Sequence, residues 1–113
     1  MRRRTPKESP AAIELDDDRA SELAEMFKLM GDASRLRIIM ASLGRPVSAG
    51  AIADRLGLSP SLVSHHLRLL RAARILRAER RGRNVLYGAA DDHVRRVIVD
   101  MAAHVGEPLN EEV

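Results

Sequence analysis

Apolar residues recur along this chain at helical spacing, switch once to strict alternation, and then return to helical spacing. Leu23, Met26, Phe27 and Met30 fall on one side of a helix predicted over Asp17 to Met30. Asp16, Asp17 and Asp18 stand at its start, where the helix dipole favours negative charge. Leu15 extends that stripe or staples the entry. Gly31 and Asp32 break the chain. Leu36, Ile39, Met40 and Leu43 then turn inward along a second helix, from about Ala33 to Leu43, which Gly44 and Pro46 stop.

The stretch from Val47 to Ala73 predicts two short helices joined by a tight turn. Ser48 caps the first, and Ile52, Ala53 and Leu56 form its apolar face. Gly57 ends it, because a positive φ costs glycine least. Leu58 plugs the corner, and Ser59-Pro60 is an N-cap and first-turn pair. Along the second helix Val63, His66, Leu67 and Leu70 face inward, while Ser61, Ser64, His65 and Arg68 face out.

After Ala73 the period becomes 2. Ile75 to Arg80 reads as a strand, Arg81 to Asn84 as a turn and Val85 to Gly88 as a return strand. Val94, Val97, Ile98, Met101 and Val105 define a last helix from about Asp92 to Val105, with Gly106 and Pro108 marking its end. The predicted architecture is mainly α with a small β-hairpin: a winged helix-turn-helix over residues 15–108. Residues 1–14 are expected to be a disordered basic arm and 109–113 a loose acidic tail.

Composition narrows the function. One domain is expected from 113 residues, and with aromatics at 2% its core must be built from aliphatic side chains and methionine. The chain has no cysteine, which excludes disulfides, thiolate metal sites and thiol redox sensing, and fits a reducing, cytoplasmic location. No apolar run approaches the ~18 residues of a membrane span, and no apolar segment follows the N-terminal arginines as a signal peptide requires. The net charge of +3 hides an asymmetry: Ser48 to Gly88 carries eight arginines against Asp54 and Glu79, whereas Ala89 to Val113 carries two arginines against six acids. The basic half is the helix-turn-helix half, the footprint of a nucleic-acid surface.

On that surface, hydroxyls, an imidazole and a guanidinium suit phosphates and base edges. Ser59, Ser61, Ser64, His65 and Arg68 are the candidates on the second helix. Arg80, Arg81 and Arg83 are the candidates at the hairpin tip, placed to lie along a phosphate backbone or reach a minor groove. A solvated basic face and an ordinary hairpin tip are the plainer uses of the same residues.

Asp91, His93, His104 and Glu107 form a second constellation. At 100° per residue, His93 and His104 point to the same side of the last helix but stand about 16 Å apart along its axis, too far for one metal ion. Two antiparallel copies of the helix would bring the Asp91/His93 end of one to the His104/Glu107 end of the other. A two-fold axis would then create two identical sites. Two imidazoles and two carboxylates suit zinc, or cobalt or nickel in an expanded shell. The plainer use is structural: Asp91 caps the helix, His93 sits in its first turn and His104 favours the dipole at its end. Asp100 lies on the ligand side and ranks as a plain polar residue. An enzyme is not expected, since the chain has no phosphate loop, no His-Glu-x-x-His run and too little length for a closed pocket.

Taken together, MGDASRLRII, GLSPSLVSHHLRLLRAARIL, RRGRNVLYGA, Asp91-x-His93 and His104-x-x-Glu107 resemble the ArsR/SmtB family of metal-sensing winged-helix repressors, over about Leu23 to Glu107. The resemblance implies a homodimer built on the first and last helices that represses an operator when metal-free and releases it when metal binds. It also implies Asp91, His93, His104 and Glu107 as ligands of the zinc- and cobalt-type site, while the cysteine-dependent arsenic and cadmium types are excluded. It further suggests a bond from the second nitrogen of His104 to a backbone carbonyl near Ala73 or Arg74. The alternative is a winged-helix repressor that answers a non-metal signal, or none.

Overall fold

Five side chains start the five helices of the described residues in the same way: each accepts a backbone N–H three residues ahead. In the computed structural model, which describes residues 13–108, Asp16 accepts from Arg19 at 2.8 Å and opens α1, Asp17–Met30. Asp32 accepts from Arg35 at 3.0 Å and opens α2, Ala33–Ala41. Ser48 accepts from Ala51 at 3.1 Å for α3, Ala49–Leu56, and Ser59 from Leu62 at 3.2 Å for α4, Pro60–Ala72. Asp91 accepts from Val94 at 3.0 Å for α5, Asp92–Gly106. Each such cap contributes about 1 kcal/mol and fixes where its helix begins.

Gly57 carries the α3–α4 corner with φ 68°, and Leu58 packs half-buried against the core behind it. The end of α4 is built differently. Arg74 stands in the left-handed region at φ 62°, while its N–H donates to the Arg71 carbonyl and the Ile75 N–H to that of Leu70. This is the Schellman pattern with arginine where glycine is usual.

The sheet has three antiparallel strands in the order β1 (Val47–Ser48), β3 (Asn84–Ala89), β2 (Leu76–Arg81). The short strand β1 is absent from the periodicity, because two residues carry none; it exists only because Val47 and Ser48 find Tyr87 and Leu86 across the sheet. The hairpin turn falls at Arg81 to Asn84, as expected. Arg81 pairs with Asn84, so only Gly82 and Arg83 form the loop, and Gly82 has φ 62°. A positive φ at the first of two loop residues is the type II′ arrangement, which matches the strand twist.

The core is aliphatic, as composition required. Ile38, Ile39, Ile52, Val63, Leu67, Leu70, Ile75 and Leu76 are its most deeply buried members. Ile38, which the periodic reading left out, is as buried as Ile39, because α2 is packed on by α1, α3 and α4. Met40, expected inside, is exposed, and α2 stops at Ala41 rather than Leu43. The apolar stripes of α1 and α5 are the larger departure: α1 has no fully buried residue, and in α5 only Ile98 is buried. Phe27, Met101 and Val105 are 54%, 57% and 81% exposed. The expected arm and tail lie outside the described residues apart from Ile13 and Glu14.

Candidate functional site: a basic helix-and-wing face and the ends of the last helix

The inner and outer faces of α4 fall as the sequence pattern predicts. Val63, His66, Leu67 and Leu70 are buried; Ser59, Ser61, Ser64, His65 and Arg68 are exposed. Ser59 is partly committed, since its hydroxyl caps the helix and lies 3.5 Å from that of Ser61. Arg80, Arg81 and Arg83 are exposed at the hairpin tip. Arg81 donates from Nε to Glu79 at 2.9 Å, and Glu79 also receives Arg77 at 3.2 Å. Arg80 and Arg83 make no ion pair among the described residues, so theirs are the uncompensated charges of the tip.

One member of the inner face of α4 is polar. His66 accepts at Nδ1 from Arg35 Nε at 3.3 Å, which places its proton on Nε2. Burial lowers its pKa first and the Arg35 charge second, while Asp32 pulls it back up and His65 lowers it again. Asp32 itself is held below the usual carboxylate range, chiefly by the Arg35 N–H it accepts. Sequence periodicity assigned His66 to the core but had no means of finding its partner, 31 residues away.

The four candidate ligands of α5 do not meet within a protomer. Among the described residues no three His, Asp or Glu side chains come together in a way that could hold a metal ion. At one end of α5, Asp91 spends one carboxylate oxygen on its cap, and Asp91 and His93 line a cleft of about 640 Å³ with Met26, Arg71, Arg74 and Arg77. Arg74 is offset by Glu22 of α1 at 2.8 Å and Arg77 by Glu79. At the other end α5 runs through Gly106, so Glu107 is the first residue beyond the helix, with extended backbone. His104 Nδ1 lies 3.9 Å from Glu107 Oε1, beyond hydrogen-bond range, and both side chains are exposed. Among the described residues His104 makes no hydrogen bond to Ala73 or Arg74. Asp100 is exposed and lines a different cleft, with Asp92, Arg95 and Arg96.

A capped helix pair with a glycine corner, followed by a basic-tipped hairpin, defines a winged helix-turn-helix protein. The family profile described as bacterial regulatory protein, arsR family, matches residues 32–78. A relative from Synechocystis sp. named transcriptional repressor SmtB homolog is 39% identical over 90 residues, which is 80% of this chain and 68% of that one. The HTH-type transcriptional regulator KmtR of Mycobacterium tuberculosis is 33% identical over 95 residues, 81% of this chain and 73% of its own. The chain therefore belongs to the ArsR/SmtB family of bacterial DNA-binding transcriptional regulators, which are not enzymes. The fold is shared with the homodimeric winged helix-turn-helix DNA-binding domain of Mb0332 from Mycobacterium bovis. That likeness has a TM-score of 0.75 at 23% identity, and covers 91% of this chain and 97% of the other. No helix among the described residues is long and apolar enough to cross a membrane.

Proposed function

We propose that this protein is a metal-responsive transcriptional repressor that binds operator DNA as a homodimer and releases it when zinc, or alternatively cobalt or nickel, is held between the two copies of α5. The folded unit is residues 15–108, and the working location is the cytoplasm. One observation carries the reading. Among the described residues Leu23 and Phe27 of α1 and Val97, Met101 and Val105 of α5 stay exposed in the protomer, and the outlying pairs Asp91/His93 and His104/Glu107 sit at opposite ends of α5. Covering those side chains with a second copy in antiparallel register brings unlike ends together. The names of the relatives and the homodimeric Mb0332 domain support it.

The donor set fits a borderline cation: two imidazoles and two carboxylates, all on exposed side chains able to reorient. His93 and His104 would supply nitrogen, and Asp91 and Glu107 oxygen, with the free oxygen of Asp91 remaining after its cap. Ser59, Ser61, Ser64, His65 and Arg68 contact the major groove, and Arg80, Arg81 and Arg83 hold the wing to DNA. The bound ion ties two α5 helices together, and rigid-body coupling through α1 and α5 changes the separation of the two α4 helices. A working switch requires about 1–3 kcal/mol of coupling or more.

One observation favours a non-metal signal instead. Arg71, in no ion pair among the described residues, shares the cleft with Asp91 and His93, and its positive charge opposes a cation there, whereas Arg74 and Arg77 are offset by Glu22 and Glu79. Zinc competition against a chromophoric chelator decides between them, on the purified chain and on His93→Ala. One tight zinc per protomer, lost in the variant, is expected, together with zinc-dependent release of DNA. Weak zinc binding unchanged by the substitution would remove the metal from the model.

A further inference from the structure

We infer that the cleft between α4 and β3 is the channel for one sugar-phosphate strand of bound DNA, and that Arg71 and Tyr87 hold its phosphates. The inference rests on the reading that α4 and the wing both seat on duplex DNA. The cleft has a volume of about 470 Å³ and is lined by Ser64, Leu67, Arg68, Arg71, Ala72 and Tyr87. Its lining includes two arginines, a serine and a tyrosine, and no acidic residue. Among the described residues neither Arg68 nor Arg71 is in an ion pair.

The position of the cleft identifies its occupant. A major groove is wide enough for a helix, and the adjacent minor groove takes a hairpin tip. What separates adjacent grooves is the backbone of one strand. Any duplex that receives α4 on one side and the wing on the other must therefore run that backbone between α4 and β3. The lining matches. Ser64, Arg68 and Arg71 stand at i, i+4 and i+7, a single stripe about 10 Å long. Tyr87 closes the far wall from the central strand of the sheet, where Val47 and Ala78 flank it on both sides. That placement leaves little freedom for its backbone.

The geometry also divides the outer face of α4. Ser61 and His65 lie outside the cleft, rotated by about 60° and 100° from Ser64 on the side away from buried Leu67. Base edges fall to Ser61 and His65. Ser64 and Arg71 face the strand, and Arg68 stands at the boundary. Arg71 and Tyr87 thus add affinity without sequence preference.

The test is the salt dependence of DNA binding by the purified full chain, with two duplexes: the tightest one selected from a randomised pool, and one of random sequence. Arg71→Ala is expected to weaken both by the same factor. It should also lower the slope of log affinity against log salt by about 0.9, so that a fourfold rise in salt costs the variant about 3.5-fold less affinity than the wild type. Tyr87→Phe keeps the ring, and is expected to weaken both duplexes equally with no change of slope. Arg83→Ala at the wing tip is the comparison. If the wild type and Arg83→Ala behave as phosphate binding requires but Arg71→Ala keeps the wild-type slope or relaxes sequence preference, the channel is wrong and DNA binding stands. If the wild type binds neither duplex, the underlying reading fails with it.

Discussion

Arg35 links three helices through one side chain, and replacing it should expose what that link contributes. Its Nε donates to Nδ1 of His66 on α4 at 3.3 Å, and its Nη1 reaches the Leu29 carbonyl near the end of α1 at 3.5 Å. His66 is only 8% exposed, so little water is available to replace a lost partner. Arg35→Met keeps the unbranched stem and removes the donors. It leaves a buried imidazole nitrogen unsatisfied, at a cost of about 1–3 kcal/mol. Arg35→Met combined with His66→Leu removes both polar partners and should recover part of that loss. The coupling expected between contacting groups is about 0.5–3 kcal/mol. The assay is urea unfolding of the four proteins of the cycle at one fixed protein concentration, because the stability of the proposed dimer would depend on concentration. A pH series adds an independent readout. The folded His66 takes a proton less readily than the unfolded one, so the unfolded chain binds more protons in the window below about 6.5. Wild-type stability should therefore be complete above about 6.5 and fall as the pH drops through that value towards the lowered folded pKa. Arg35→Met removes a repelling charge and should flatten that fall. A single variant within about 0.5 kcal/mol of wild type, additive with His66→Leu and unchanged in pH slope, would refute the reasoning.

Two further outcomes follow from the same structure. Met101→Asp puts a charge in the exposed part of the α5 stripe, at a side chain 57% exposed in the protomer, so the fold should survive while the proposed dimer is lost in sedimentation velocity. Gly57→Ala meets no atom within 4 Å, so its whole cost is the left-handed backbone at φ 68°. That cost is about 1 kcal/mol and is read as a lower urea midpoint with unchanged m-value; no loss at all would mean the corner relaxes.

Helix positions and the inner face of α4 were legible in the sequence because both are local. An aspartate or serine at each start needs only the N–H three residues ahead, and glycine at 57 needs only its own φ. The period of 3.6 likewise placed Val63, His66, Leu67 and Leu70 inside without reference to any other element. The candidate ligands on α5 were equally visible as residue types and angular positions. Tertiary structure decided everything that requires a partner distant in the chain. The strand β1 is too short to show a period and exists by pairing with Tyr87 and Leu86. His66 is a satisfied core histidine only because α2 presents Arg35 to it. Arg71 and Tyr87 gain a shared cleft only when the wing folds back along α4. The stripes of α1 and α5 mark the same boundary one level up. Their spacing specifies helices with one apolar side, but periodicity fixes which residues share a side and not which surface covers them. Among the described residues of one protomer Phe27, Met101 and Val105 stay more than half exposed.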